Sequence, residues 1–290
     1  MIKSRSAKIG DMVIVAVCVL LMLICILPLI NILARSLSSA DALIKNRVSL
    51  WPVGFNFNAY HSVLVDGKFT RSLGWTAILT LMCTLLSMTM TVACAYPLIY
   101  ENLKGKKAIN AFIIFTMYFN AGVIPNYLLF KDLHLLDNPL VLMIPSCLSV
   151  FNMIIMRSFL YGIPDSLRES AEIDGAGPIK ILVSIYLPLS TPVLATLSLF
   201  YAVSRWNGFT DALMFMINAR EYHPVQLLLY NIINSVTSVE SAMQDAGAGP
   251  GRGETIKAAS VMFATIPILL VYPWLQKYFV AGATLGAVKG

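Results

Sequence analysis

Residues 12–34 read MVIVAVCVLLMLICILPLINILA, twenty-three residues without a single charge. A helix of about 20 apolar residues is long enough to cross the roughly 30 Å of hydrocarbon in a lipid bilayer. Five more charge-free runs follow along the chain, at 72–100, 108–130, 138–156, 181–204 and 258–276. Because an unpaired backbone polar group is costly in lipid, continuous apolar runs of this length predict membrane-spanning helices.

The composition of the 290-residue chain agrees with a location in a lipid bilayer. Hydrophobic residues make up 58% of the chain and charged residues 12%, and the mean hydropathy is +0.75. Soluble domains are about 45–50% apolar and about 25% charged. All five cysteines lie in apolar runs, which excludes a secreted disulfide scaffold, and the runs are too long and too uniformly apolar for an outer-membrane barrel. The sequence predicts an all-α polytopic membrane protein.

We predict one transmembrane domain over residues 1–290, with six helices. The predicted spans lie at about 12–34, 72–100, 108–130, 138–160, 188–217 and 258–278. The first run exceeds the 7–15 residues of a signal-peptide core, and no small-residue cleavage site follows it. We therefore count it as the first helix.

The distribution of basic residues predicts the orientation of these six spans. The short loop at 101–107 carries Lys104, Lys106 and Lys107, whereas basic residues on the opposite side spread through longer loops. Short, lysine-dense loops stay in the cytoplasm. Both termini and the loop at 161–190 are then expected inside, and a long loop at 218–256 outside. The pI of about 9.0 thus indicates topology and contact with anionic lipid, and no nucleic-acid partner is expected.

The predicted cytoplasmic loop contains the most informative motif of the chain. Residues 162–178 read GIPDSLRESAEIDGAGP. Ser166 and Glu169 have the spacing of a capping box, and Gly175 is a residue type that ends helices. We expect a short helix here, followed by a second one that begins at Pro178 and runs into the fifth span. On its own, this pattern also fits a capped amphipathic turn that rests on lipid head groups.

The wider spacing of this loop resembles a known motif. Glu169, Ser170 and Ala171 are followed by three residues and Gly175, and then by nine residues and Ile-Tyr-Leu-Pro at 185–188. This arrangement resembles the EAA loop of ATP-binding-cassette (ABC) importer permeases. The pattern of that loop is Glu-Ala-Ala, three residues, Gly, nine residues, Ile, any residue, Leu, Pro. Every fixed position matches except Ser170, which replaces the second alanine.

Other segments of the chain carry a similar resemblance. They are PDSLR at 164–168, Trp206-Asn207, FVAG at 279–282 and GAVKG at 286–290. Together they resemble the maltose-type carbohydrate importer permeases, over most of the chain from Trp51 to the end. Within that group the sequence is most similar to the smaller, six-helix permease of a heterodimeric pair. The resemblance implies the type I importer permease fold.

This resemblance implies a set of partners and a location in the bacterial cytoplasmic (inner) membrane. The partners are a second homologous permease subunit, a cytoplasmic ATPase dimer, and an extracellular or periplasmic solute-binding protein that the outer loop would reach. ATP and Mg²⁺ would bind to the ATPase, and this chain would bind no cofactor. The short cytoplasmic helix would dock in a groove of the ATPase. The implied coupling residues are Glu169, Ser170, Ala171, Asp174, Gly175, Lys289 and Gly290.

Two ionisable residues, Arg205 and Asp211, lie well inside the predicted fifth span. A charge at mid-bilayer costs about 2.5–3.5 kcal/mol on the insertion scale, so each needs a role. Residues six apart on a continuous helix lie on opposite faces, so no salt bridge between them is expected. Arg205 either bonds backbone carbonyls or a carboxylate of a partner subunit to hold the helices together, or lines the solute path with Trp206, Asn207 and Asp211. A basic lining would suit an acidic oligosaccharide.

Two other classes of protein compete with this interpretation. An ion-coupled secondary transporter of a small polar solute needs a coupling acid near mid-membrane, and Asp211 is the lone candidate, predicted toward the outer end. A membrane-embedded enzyme needs paired acids, a Ser/His pair or a metal cluster within the spans. We predict no catalytic and no metal site, because the three histidines are scattered without ligand spacing. The sequence therefore favours a non-enzymatic permease subunit.

Overall fold

The computed structural model of the chain describes residues 5–65, 67–243 and 253–270. These residues form α-helices joined by short 3₁₀ segments and loops, without a β-strand in the described ranges. The helices are α1 Arg5–Ser36, α2 Ala40–Ile44, α3 Asn58–Val65, α4 Lys68–Ala95, α5 Lys106–Tyr118, α6 Val123–Asp132, α7 Val150–Leu160, α8 Asp165–Ile173, α9 Pro178–Leu189, α10 Thr191–Asn207, α11 Thr210–Phe215, α12 Val225–Met243 and α13 Gly253–Leu270. The predicted all-α class is confirmed.

Several of these helices have the length and composition of membrane spans. Three qualify as single helices: Gly10–Ser36, Lys68–Ile99 and α13. Two more candidates are bent pairs, α5 with α6 at 112° and α9 with α10 at 83°. The described residues therefore hold three spans, or up to five if each bent pair is one span. The only α-helix in the predicted span 138–160 is the shorter helix α7, so the structure does not reproduce six continuous helices.

The predicted span 108–130 is broken in its middle. Helix α5 ends at Tyr118, and α6 begins at Val123. Between them Asn120 Oδ1 accepts the N–H of Gly122 at 2.9 Å. Gly122 has φ +91, a backbone conformation that favours glycine. The break has this local cause, although every residue of the run is uncharged.

The predicted spans 138–160 and 188–217 are also discontinuous. The first begins as a 3₁₀ helix at Pro139–Leu142. Helix α7 starts only after Ser149, whose side chain accepts the N–H of Asn152. In the second, α9 starts at Pro178 as predicted but meets α10 at the 83° bend, and Gly208 separates α10 from α11. Capping side chains and proline thus divide stretches that are apolar throughout.

The predicted outer loop 218–256 is largely helical. Helix α12 occupies residues 225–243, and α13 begins at residue 253. At the start of α12 the N–H of Val225 donates to Thr76 Oγ1 at 2.8 Å, and this hydroxyl donates to the carbonyl of Ser72. Thr76 is fully buried, so its hydroxyl satisfies a backbone donor that would otherwise be unpaired.

The chain divides into two compact units, and the first contains residues up to 70 together with 228–267. Within this unit Arg35 forms an ion pair with Glu254. The rings of Phe69 and Phe263 meet edge to face, with centroids 5.5 Å apart. Most large apolar side chains of α1 from residue 12 to residue 30 are exposed. Such exposure is expected of a helix whose apolar surface faces lipid.

The second unit, Arg71–Leu227 with 268–270 of the described residues, carries the candidate site. Its core consists of two clusters. The first lies where the end of α4 meets α7, α9 and α10, and its members are Ala95, Tyr96, Leu98, Ile99, Met153, Met156, Leu160, Ile181, Tyr186, Val193 and Leu197. The second joins α4, the 3₁₀ helix and α11, and its members are Leu79, Cys83, Val141, Leu142, Met143, Ala212, Met216, Ala219 and Leu227.

Candidate functional site

Helix α8 occupies the position of the predicted cytoplasmic helix. Its N-cap residue is Pro164, which makes no side-chain capping bond. The predicted capping box of Ser166 and Glu169 is therefore wrong. Ser166 already lies in the first helical turn, because the helix begins at Asp165, earlier than the capping pattern requires. Glu169 is left free of a capping role.

The C-terminus of α8 is closed by a Schellman motif. Gly175 has φ +78, and its N–H donates to the carbonyl of Glu172 at 3.0 Å. The N–H of Ala176 donates to the carbonyl of Ala171 at 2.9 Å, and Asp174 is the C-cap residue. A residue with a β-carbon is disfavoured in the left-handed region, which agrees with the prediction that Gly175 ends this helix.

Opposite sides of α8 differ in their surroundings. Glu169 and Ser170 are exposed, and Ile173 is 86% exposed. Ala171 is partly buried and packs against the first core cluster. The outward surface thus combines a carboxylate, a hydroxyl and a large apolar side chain, a combination suited to a protein partner.

Arg168 attaches α8 to the rest of the second unit. Its guanidinium donates to Glu172 at 3.0 Å and to Asp165 at 3.2 Å. The guanidinium carbon lies 5.3 Å from the ring centroid of Tyr100, which is cation–π distance. The hydrogen bond with Glu172, together with that to Asp165, raises the pKa of Arg168 above its usual range. Arg168 therefore remains charged and joins α8 to the segment that follows α4.

Three aromatic side chains lie behind this contact, and we call Tyr96, Tyr100 and Tyr186 the tyrosine cluster. The hydroxyls of Tyr96 and Tyr100 are 2.6 Å apart, and Tyr96 donates to the carbonyl of Pro178 at 2.9 Å. The rings of Tyr96 and Tyr186 meet edge to face at 5.4 Å. The cluster connects α8, α9 and the end of α4. Sequence reasoning missed it, and the only signal was two tyrosines four residues apart at the end of an apolar run.

A cavity of about 290 Å³ lies between α4, α10 and α11. Its lining is formed by Cys83, Ser87, Ser146, Tyr201, Ser204, Arg205, Gly208, Thr210 and Asp211. This volume is at the lower end of the roughly 300–1,000 Å³ that is usual for small-ligand pockets. Five hydroxyl groups and one ion pair supply the polar groups of this lining.

Arg205 and Asp211 form an ion pair in this lining. Arg205 is 8% exposed. Its Nη1 donates to Asp211 at 2.5 Å and to the carbonyl of Leu142 at 3.1 Å, while Nη2 donates to Asp211 at 3.0 Å and to the carbonyl of Gly208 at 3.1 Å. The expectation that no salt bridge forms is wrong, because α10 ends at Asn207 and α11 turns Asp211 back. The four Nη hydrogens of Arg205 are all used within the chain.

The other predicted path residues lie outside the cavity lining. Asn207 is exposed, and its side chain donates to the carbonyl of Val203 at 2.9 Å. Trp206 is partly buried and is not among the lining residues. Lys289 and Gly290 lie outside the described residues. The structure thus brings together only two of the four predicted path residues.

Sequence reasoning also missed a polar face of α4. Cys83, Ser87 and Thr91 are four residues apart and share one side of the helix. Thr91 Oγ1 lies 2.7 Å from the hydroxyl of Tyr201, which accepts the N–H of Ser149 at 3.1 Å. The spacing of four residues between these polar side chains was a signal that could have identified this face from the sequence alone.

A second polar contact fixes the segment after α11. Asp137 accepts the backbone N–H and the side-chain amide of Asn218 at 2.7 and 2.8 Å, and the N–H of Ala219 at 3.3 Å. The two bonds from Asn218 hold the pKa of Asp137 below its usual range. Asp137 therefore ties the loop after α6 to the end of α11, close in sequence to the cavity residues.

Comparison with known proteins identifies the family. Residues 87–284 match the family described as Binding-protein-dependent transport system inner membrane component. The chain belongs to this family.

Individual relatives are similar over nearly the whole chain. The polygalacturonan/rhamnogalacturonan transport system permease protein YtcP of Bacillus subtilis (strain 168) is 38% identical over 284 residues, 98% of this chain and 99% of YtcP. The crystal structure of a bacterial ABC transporter involved in the import of the acidic polysaccharide alginate contains a chain that is 35% identical, with a TM-score of 0.87, covering 96% of this chain and 99% of that one. A chain from the bacterial alginate ABC transporter in complex with an alginate pentasaccharide-bound periplasmic protein is 17% identical, with a TM-score of 0.63 over 94% of this chain and 96% of that one, and supports the fold alone.

These similarities confirm the resemblance drawn from the EAA-type loop. The chain is a multi-pass membrane protein and a permease subunit of an ABC importer. It is not an enzyme, because the ATPase of such importers is a separate subunit, and their permease subunits bind no cofactor themselves. The ion-coupled secondary transporter is not favoured.

The geometry of the cavity predicts coupling between Arg205 and Asp211 in the stability of the chain. Arg205→Gln or Asp211→Asn alone should lower the free energy of unfolding by about 2–4 kcal/mol, because each leaves a partly buried charge unpaired. The double variant should be less destabilised than the sum by at least about 1 kcal/mol. The measurement is urea unfolding in detergent. Additive losses would show that the two side chains do not interact.

Proposed function

We propose that this chain works in the bacterial cytoplasmic membrane with both termini inside, paired with a second homologous permease subunit. A cytoplasmic ATPase dimer that holds ATP and Mg²⁺ docks on α8. An extracellular or periplasmic solute-binding protein delivers an oligosaccharide from the opposite side. The observation that carries this proposal is the outward surface of α8, with Glu169 exposed on a short helix that is attached to the core.

The contacts around α8 support a mechanical role. A helix that is held only by loops would yield when a partner pushes on it. Here the guanidinium of Arg168 on α8 lies 5.3 Å from the ring centroid of Tyr100, and Tyr96 connects Tyr100 to α9 through hydrogen bonds of 2.6 and 2.9 Å. Closure of the ATPase would therefore move α8 together with the α9–α10 pair as one lever.

Individual residues of the EAA-type loop take distinct parts in this proposal. Glu169 contacts the ATPase, and Ser170 and Ala171 are small enough for close approach. Asp174 and Gly175 fix the end of the helix. Lys289 and Gly290 are assigned to the same contact, and this assignment rests only on the resemblance of the C-terminal segment to the importer permeases.

The solute path is proposed to include the cavity between α4, α10 and α11. Its hydroxyl groups can exchange hydrogen bonds with the hydroxyls of a sugar. The Nη donors of Arg205 are engaged within the chain, whereas the side chain of Asp211 is 30% exposed and has lone pairs for a solute. Trp206 and Asn207 extend the path beyond the cavity.

The solute is proposed to be an acidic oligosaccharide. The support comes from two relatives that are at least 35% identical over nearly the whole chain, one named for polygalacturonan and rhamnogalacturonan and the other for alginate. All three are polymers that contain uronic acids. The pairing of Arg205 with Asp211 leaves the cavity nearly neutral. We therefore place discrimination by charge in the binding protein and the partner permease as well as in this chain.

Reversing the charge of Glu169 tests the coupling role. Glu169→Lys should leave the complex assembled and abolish transport, because the lysine meets a groove built for an anion. Asp132→Lys, at an exposed acidic residue at the end of α6, is the matched control and should transport normally. The measurement is solute uptake per assembled complex in proteoliposomes. Normal uptake by Glu169→Lys would remove α8 from the coupling path.

The acidic class of solute is tested with one oligosaccharide in two forms. Galacturonate oligosaccharides should stimulate ATP hydrolysis by the reconstituted importer with its binding protein. The same oligosaccharides with their carboxyl groups reduced to alcohols should stimulate it at least about tenfold less, since charge-assisted hydrogen bonds worth about 1.5–3 kcal/mol are lost. Equal stimulation by both forms would show that the importer does not require the carboxyl groups, and its solute would then be a neutral sugar.

A further inference from the structure

Four arginines with described side chains are buried or partly buried, and three of them pair with a carboxylate. These pairs are Arg35 with Glu254, Arg168 with Asp165 and Glu172, and Arg205 with Asp211. The fourth is Arg157 on α7, whose Nη1 donates to the neutral amide oxygen of Asn110 at 2.5 Å. Its Nε is buried without a hydrogen-bond partner, and within the described ranges it forms no ion pair. Arg157 thus lacks the counter-ion that its three counterparts have.

A second cation lies next to Arg157. Lys106 Nζ donates to the hydroxyl of Tyr161 at 2.5 Å and to the carbonyl of Tyr100 at 3.1 Å. Lys106 and Asn110 are four residues apart on α5, and Arg157 on α7 is four residues before Tyr161, the C-cap residue of that helix. The two bonds are therefore rungs between the same two helices, about one turn apart. We call Lys106, Asn110, Arg157 and Tyr161 the basic ladder.

The charge of the ladder is positive and uncompensated. Both cations are held by neutral oxygen atoms, and charges about one helical turn apart repel each other at an effective dielectric well below that of water. Lys104 and Lys107 are exposed beside the ladder and add to the same sign of charge. Among the described residues, none of these four cations has an ion pair. An anion from outside the chain would complete the arrangement.

The surroundings of the ladder indicate the kind of anion. Helix α5 has no buried residue, and its apolar side chains Ile109, Phe112 and Phe115 are 41%, 68% and 57% exposed. The basic end of α5 is thus continuous with an exposed apolar surface. A molecule with an anionic head and apolar chains fits both parts at once, and basic pockets between membrane helices bind anionic lipid head groups.

We propose that the head group of an anionic phospholipid binds at the basic ladder, with its acyl chains along α5. The phosphate accepts hydrogen bonds from the guanidinium of Arg157 and the ammonium of Lys106, and its net negative charge offsets part of the charge of the two cations. Because Lys106 also bonds the carbonyl of Tyr100, bound lipid would fix the segment that carries the tyrosine cluster. The site contains none of the coupling or path residues, so it stands independently of the proposed solute.

The experiment compares lipid binding by the complete purified importer in mild detergent, measured by native mass spectrometry. Phosphatidylglycerol should bind at least about tenfold more tightly than phosphatidylcholine. Arg157→Gln should reduce phosphatidylglycerol binding about tenfold, the usual effect of losing one charge-assisted contact. Lys131→Gln, at an exposed lysine in the last turn of α6, is the matched control and should bind like the wild type.

A second variant keeps both cations, so the test does not depend on whether Arg157→Gln folds correctly. Asn110→Asp places a carboxylate beside Arg157 without removing a cation, so it should lower phosphatidylglycerol binding about tenfold and leave the complex stable without that lipid. Equal binding of both lipids would overturn the proposal, as would an equal loss in Lys131→Gln. Complete displacement by millimolar inorganic phosphate would also overturn it, since the site would then bind a free anion.

Discussion

The contact of Arg168 with Tyr100 is the interaction on which the attachment of α8 to the segment after α4 depends. Asp165 and Glu172 hold the guanidinium from within α8, and the ring of Tyr100 receives it from the segment after α4. This contact adds to the packing of Ala171 against the first core cluster and to the two turns that flank α8. With it, α8 is an extension of the first core cluster, and its outward surface is held in one place.

A similar constraint governs the cavity. When a helix breaks inside a membrane, the freed backbone carbonyls need donors. The break at Gly208 and the end of the 3₁₀ helix at Leu142 leave two such carbonyls, and Arg205 bonds both. Asp211 then balances the buried charge. The ion pair is therefore a consequence of the broken helix, and it lines the cavity beside this break.

The sequence was sufficient to predict the helical class, the short helix at the EAA-type loop and the end of that helix at Gly175. It was not sufficient to predict the breaks at 119–122 and 208–209, because straight and broken helices in lipid have the same apolar composition. The opposite-face argument for Arg205 and Asp211 failed for this reason, since it assumed one continuous helix. The tyrosine cluster combines residues about 90 positions apart, and no local pattern records such a contact.

We propose that force from the ATPase enters through α8 and passes through Arg168 to reach the core. The most direct measurement is the number of solute molecules imported per ATP hydrolysed, in proteoliposomes that contain the whole importer. Arg168→Gln should lower this ratio at least about tenfold while basal ATP hydrolysis and assembly persist. Arg168→Lys, which keeps a cation over the ring of Tyr100, should retain most of it. An unchanged ratio in Arg168→Gln would contradict the account.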